Sequence, residues 1–317
     1  MASFIVRRLT MAAGLVLLVL TLIFAALQFV PGDPAVLLLS TGTGGAPSPE
    51  AVERVREQLG LNQPLFAQYA QFLGGVVTGD LGESFRTQQS VLQAISERLP
   101  RTLQLVLLGT VLSICIGVPL GAVAAVRGGW ADTAVTALSS IGMALPVFVF
   151  GAVLILVFAI ALGWFPAGGY VNPLHDPVGA LASMILPATT LAVGFSAQIA
   201  RMTRSSVLEM RGQDWVRTAR SIGLAPLVVF RKHVLRNALT PVVTVVGVGF
   251  GVLLGSTVLV ERVFNYPGLS SLLIDGVTNR DYPVVQGIVI VIALMFIGIN
   301  IVVDLVYGVL DPRVRRS

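Results

Sequence analysis

Charge is what this sequence has least of. Asp, Glu, Lys and Arg make up 12% of its 317 residues, about half the roughly 25% of a soluble globular chain, whereas 55% are hydrophobic. That deficit points away from a soluble enzyme and towards a chain solvated by lipid. Lysine is almost missing: the one copy is Lys232, between Arg231 and His233. A Walker A loop needs Gly-Lys-Ser or Gly-Lys-Thr to hold phosphate, so this chain carries no P-loop and any ATPase must be a separate polypeptide. Cysteine also occurs once, Cys115, which excludes an intrachain disulfide and a thiol metal site. Lying in an apolar run, Cys115 is expected to be a small buried packing residue. The two histidines, His175 and His233, fall on opposite sides of the membrane in the topology below and share no metal site. No catalytic constellation stands out.

What the chain has in abundance is long apolar runs. About 20 mostly apolar residues cross a bilayer core as a helix. Six segments meet that length: Leu9–Val30, Leu103–Val126, Thr133–Leu162, Gly179–Ala200 with Pro187 inside it, Pro241–Val260, and Pro283–Leu310. Small residues punctuate them, as in "GTVLSICIGVPLGAVAA" (Gly109–Ala125), and let helix backbones approach closely in lipid. The first apolar run is too long for a signal core and no small-residue cleavage site follows, so it is expected to be an uncleaved span. Placing the N-terminus in the cytoplasm puts Arg7, Arg8, Arg127, the basic run from Arg201 to Arg236 and the last three arginines inside. That is two thirds of the basic residues, and acids outnumber bases outside, as the positive-inside rule asks. The net charge of +5 thus reflects sidedness, not a nucleic-acid-binding face. The expected fold is an all-α integral membrane protein with six spans and both termini cytoplasmic. Its organisation is residues 1–30 as N-terminal segment and first span, 31–100 as outer loop, and 101–317 as a five-span core holding the cytoplasmic loop 201–240.

The outer loop contains "SPEAVERVREQLG", which reads as a short helix with Ser48 as N-cap, Pro49 in the first turn and Gly60 as terminator. "GDLGESF" (Gly79–Phe85) reads as a turn. The cytoplasmic loop reads as helix, break, helix: Asp214 caps a helix running to Ile222, Gly223 ends it, and Pro226 opens the next. Trp215, Ala219 and Ile222 follow i, i+4, i+7 and are expected to share a face, with Arg217 and Arg220 elsewhere. One reading of this loop is a basic face resting on anionic lipid headgroups. The other is a protein-docking knob, which needs the sharply defined end that Gly223 supplies.

"DWVRTARSIGLAPLVVFRKHVLRNALTPVV" (Asp214–Val243) resembles the EAA loop of permease subunits in ABC importers, most closely the B-type subunit of the dipeptide/oligopeptide branch. Ala219 and Gly223 match the motif's alanine and glycine. The glutamate that names the motif would fall at Arg217 and its later proline at Arg236, departures that fit the peptide-importer branch. "LGLNQPLFAQYAQFLGGVVTGDLGESF" (Leu59–Phe85), "VERVFNYPGLSSLL" (Val260–Leu273) and "NIVVDLVYGVLDPRVR" (Asn300–Arg315) resemble the same branch in the same order. The resemblance implies a type I importer permease forming half of a translocation path. Its expected partners are a second, similar permease (a heterodimer is favoured), two cytoplasmic ABC ATPase domains and an extracytoplasmic solute-binding protein, within a bacterial inner membrane. ATP and Mg2+ would be bound by the ATPase subunits and no cofactor by this chain. The coupling residues would be Asp214, Trp215, Arg217, Thr218, Ala219, Arg220, Ser221, Ile222 and Gly223. Cargo would be di- or oligopeptides, or nickel or glutathione, which other members of the branch carry.

Asp304 is the one acid inside an expected span, and Asn300, Asp304 and Tyr307 share a helix face. Such an acid suits ion coupling in a secondary transporter, or else a structural pair with Arg7 or Arg8. Its place near the inner end favours the pair, since coupling sites of secondary transporters lie near the midplane. Pro119, Pro146 and Pro187 are expected to bend their helices, as hinges or as packing bends.

Overall fold

The computed structural model describes residues 2–28, 33, 35, 36, 39, 47–58 and 60–310, with side chains as far as Val303. Among these, every regular element is helical. In chain order they are α1 (Ala2–Gln28), α2 (Pro49–Gln58), α3 (Leu65–Thr78), α4 (Val91–Arg127), α5 (Gly129–Ala144), α6 (Val147–Ala161), α7 (Pro177–Arg211), α8 (Asp214–Ser221), α9 (Pro226–Val263), α10 (Leu269–Thr278) and α11 (Tyr282–Leu310). They form two compact units. One holds residues up to Arg101 together with Gly268–Ile301, and the other holds Thr102–Pro267 together with the chain from Val302.

In the first unit, α2 starts and stops where its sequence says. Ser48 Oγ accepts the N–H of Ala51 at 3.3 Å and Gly60 turns the chain out at φ +67°. Helix α3, which periodicity alone did not reveal, packs on α1 through Phe24, whose ring lies 5.2 Å from Tyr69 and 5.7 Å from Phe72. The expected Gly79–Phe85 turn is present and is closed by a bridge between Glu83 and Ser90. A buried clasp fixes it: Ser84 Oγ donates to Asp281 Oδ2 at 2.5 Å, and the N–H of Phe85 to Asp281 Oδ1 at 3.1 Å. Beneath lies an apolar core of Val91, Ile95, Leu269, Val284 and Ile288.

The second unit is organised round α7. More than half (56%) of its apolar window is buried, against no more than 33% for any other long span, so α7 is the helix the others surround. Asp176 caps it by accepting the N–H of Gly179 at 2.9 Å. Pro187 is buried and does not interrupt it, so its expected bend is not a break. Helix α4 approaches α7 through Gly117 and Gly121. A Cβ at Gly117 would lie 2.6 Å from the Ser196 carbonyl oxygen and 2.8 Å from Ile199 Cβ, the close backbone contact that small residues at i and i+4 permit.

Three expectations need correction. The third span, Thr133–Leu162, is not one helix. α5 and α6 meet at 102°, because Pro146 offers no N–H to Gly142 and forces the preceding residue out of the helical region; Leu145 sits at φ −74°, ψ 127°. Five helices are therefore long and apolar enough to cross, six if the bent pair counts as one span. Cys115 is exposed, not buried; it lies between the exposed Ile114 and Ile116 of α4, and an apolar face solvated by lipid need not be covered by protein. The fifth helix runs past the expected Val260 to Val263 and carries a second acid. Glu261 is fully buried and accepts a hydrogen bond from Thr102 Oγ1 at 2.6 Å.

Candidate functional site

Helix α8 is eight residues long, shorter than anything that holds helical form alone in water. It is held by two residues on one face. Val216 and Ala219, at i and i+3, are buried in an apolar cluster with Ala125 of α4, Val207 of α7, and Val229, Val234 and Ala238 of α9. Arg211, at the end of α7, adds a polar tie. Its Nη1 donates to the Ala125 carbonyl and, at 3.5 Å, to that of Val126, satisfying acceptors at the C-terminal end of α4 that no helical N–H reaches. Three long helices thus converge under one short one.

The spacing from Ala219 to Gly223 now has a structural meaning. The N–H of Leu224 donates to the Ala219 carbonyl at 3.3 Å and that of Gly223 to Arg220 at 3.0 Å, with Gly223 at φ +86°. This is a Schellman ending: the alanine is small enough to sit on the cluster, and the glycine four residues on takes the left-handed conformation that closes the helix. Pro226 opens α9 in its first turn, as the sequence indicates.

The start of α8 differs from expectation. Gln213 is the N-cap residue, with no side-chain cap, and Asp214 is the first helical residue. Its carboxylate therefore acts on the helix dipole and on Arg217, 3.8 Å away, with both side chains well exposed. The expected shared face of Trp215, Ala219 and Ile222 also divides. Ala219 faces inward, whereas Trp215 is 37% and Ile222 71% exposed. Trp215 leans towards His233, ring centroids 6.3 Å apart. Thr218 and Ser221 turn their hydroxyls back to the Asp214 and Thr218 carbonyls, at 3.1 and 2.8 Å. What α8 presents outward is therefore an indole, an isoleucine and the guanidinium groups of Arg217 and Arg220. Val216 and Arg211, which hold the device in place, were not among the residues picked from sequence. An i, i+3 pairing of Val216 with Ala219 was the available signal.

Nothing in this arrangement does covalent chemistry; it is a firmly seated knob for another protein. Residues 117–316, which include α8, match the family described as binding-protein-dependent transport system inner membrane component, and residues 1–106 match its N-terminal companion. The chain belongs to this family. A Brucella abortus (strain 2308) protein named for a peptide transport system permease is 44% identical over 316 residues, 99% of each chain. The glutathione transport system permease GsiC of Escherichia coli (strain K12) is 38% identical over the same share. Among solved structures, a chain of the methionine ABC transporter MetNI superposes with TM-score 0.58 at 18% identity, covering 69% of this chain and 97% of that one. An amino acid ABC transporter gives 0.53, covering 68% and 93%. The fold is that of a type I ABC importer permease. As a permease of such a binding-protein-dependent importer, the chain crosses the inner membrane several times and works with an ATPase and a solute-binding protein.

The ion-coupled secondary transporter falls away with this assignment. Of the intramembrane polar residues, Asn300 is half-buried and donates from Nδ2 to the Phe296 carbonyl at 2.8 Å, an interaction within its own helix. The side chain of Asp304, with its suggested pairing to Arg7 or Arg8, lies outside the described residues.

Proposed function

We propose that this chain forms half of the translocation path of an ATP-driven peptide importer in a bacterial cell membrane, paired with a second, similar but non-identical permease. Two cytoplasmic ATPase domains, which bind ATP and Mg2+, engage α8, and an outer binding protein delivers cargo. The chain itself holds no cofactor and performs no catalysis. The observation that carries this reading is α8: its base is locked into the ends of three long helices while its top displays Trp215, Ile222 and two arginines. Exposed aromatic and aliphatic anchors ringed by charge are what a docking helix needs. A helix resting on lipid would not need a Schellman ending or a buried base. ATP-driven closure of the ATPases would move α8, and through Val216, Val207 and Val229 the long helices, exchanging inward for outward opening.

Peptide cargo is supported by relatives at 40–44% identity named for peptide transport. Glutathione, a tripeptide, is a second reading supported by GsiC. The test is reconstitution of the chain with its partner permease, ATPases and binding protein in proteoliposomes, followed by uptake of radiolabelled trialanine with and without ATP and with glutathione as competitor. ATP-dependent peptide uptake that is lost in Ile222→Arg is expected. Uptake without ATP, or unaltered in that variant, overturns the coupling role.

A further inference from the structure

The break between α5 and α6 places unpaired backbone at an unusual depth. Gly142, just before it, sits against Val193 and Ala197, beside the midpoint of α7. Pro146 has no N–H for the Gly142 carbonyl, and the carbonyls of Met143 and Ala144 accept no backbone hydrogen bond across the break. Leu145 is 42% exposed in this chain. Irregular backbone at membrane depth is tolerated where protein buries it or where it lines a water-filled cavity, but not against lipid.

Gln198 makes the same demand from the other wall. From Leu191 to Ala200, a stretch described throughout, only Gln198 is exposed. It lies one turn inward of the α7 midpoint, about 6 Å along the axis, and its carboxamide meets no partner among the described residues. Neighbouring hydroxyls are different. Ser140 donates to the Thr136 carbonyl at 2.9 Å and Ser256 to Val252 at 3.1 Å, so each is satisfied by its own helix and is compatible with lipid. An unpaired carboxamide is not, because leaving water without a partner is costly for an amide. The two features share one space: a cavity of about 190 Å³ has Gly142, Leu145, Val147, Gln198 and Ser256 in its wall.

We propose that the Leu145–Pro146 elbow and Gln198 line the water-filled cargo path, and that the Gln198 carboxamide exchanges hydrogen bonds with the backbone amides of a passing peptide. The cargo clause rests on the peptide reading above; the placement of the path does not. Arg201, one turn further in on α7 and exposed, with Nη1 3.6 Å from Met143 Sδ, continues the polar lane towards the cytoplasm and suits the carboxylate end of the same cargo.

The test uses the assembled importer in proteoliposomes with Cys115→Ser as background. Gln198→Cys is expected to react with a hydrophilic, membrane-impermeant maleimide at least about tenfold faster than Leu107→Cys, since thiol labelling requires water at the site; both positions are exposed in the isolated chain. Equal, slow labelling would mean that lipid or the second permease covers this face, and would overturn the proposal whatever the cargo is. Gln198→Leu is then expected to raise the KM for trialanine about fivefold, the worth of one hydrogen bond, with Gln198→Asn recovering part of it. An unchanged KM in Gln198→Leu overturns the peptide contact. A wild-type importer that labels at position 198 but takes up no peptide refutes the peptide reading and leaves the path where it is placed.

Discussion

Val216→Ala separates what holds the coupling helix from what it displays. Val216 is fully buried, and the substitution deletes two methyl groups from the cluster beneath α8. At about 0.8 kcal/mol per buried carbon, with a cavity term added because three long helices cannot collapse inward, the loss is about 2 kcal/mol. An eight-residue helix has no intrinsic stability to absorb it, so the whole loss falls on docking of α8, and its undocked population rises roughly 30-fold. Hydrogen exchange on the importer in nanodiscs reads this directly, through the amides of Ile222, Gly223 and Leu224, whose acceptors are Thr218, Arg220 and Ala219. Trp215→Ala is the contrasting variant. With its indole exposed, it should leave those amides protected while weakening co-purification of the ATPase. Unchanged exchange in Val216→Ala, or equal acceleration in Trp215→Ala, would refute the division of α8 into an anchored base and a presented top.

Three further outcomes follow from the same geometry. Gly223→Ala should destabilise the end of α8 by about 1 kcal/mol, because an L-residue is strained in the left-handed region. A Cβ there meets nothing within 4 Å, so strain is the only term, and Gly223→Asn should cost less in the same exchange experiment. Asp214→Ala should accelerate exchange in α8 less than Val216→Ala does, because the carboxylate caps no N–H and its partner Arg217 is solvated. Gly121→Leu should lower the melting temperature of the purified chain, since even a Cβ at Gly121 would sit 2.8 Å from Thr203 Cβ and force α4 from α7 at about 1–3 kcal/mol. Gly14→Leu, with open space round it, is the matched control and should melt like the wild type.

Much of this was readable in the sequence wherever one residue's own chemistry decides the outcome. Apolar length gave the long spans. Ser48, Pro49, Gly60, Gly223 and Pro226 act locally, through a cap, a fixed φ or a left-handed turn, and each sits where its chemistry indicated. The third span failed for an equally local reason that length conceals: hydropathy averages over Pro146 as though it were any apolar residue, while the backbone cannot. The face of α8 was misassigned because periodicity shows which residues lie together but not which side is covered. Trp215, Ala219 and Ile222 do follow helical spacing, yet the cover comes from α4, α7 and α9, so Val216 becomes the buried residue and Trp215 the presented one. In lipid this ambiguity is sharper than in water, because an apolar residue is equally at home against a tail or a neighbouring helix, as exposed Cys115 shows. Polar groups break the symmetry. Glu261 is buried where a partner hydroxyl meets it, and Gln198 is exposed where no neighbour does. In a chain as oily as this one, the few side chains that lipid cannot satisfy are therefore the best guide to where the water runs.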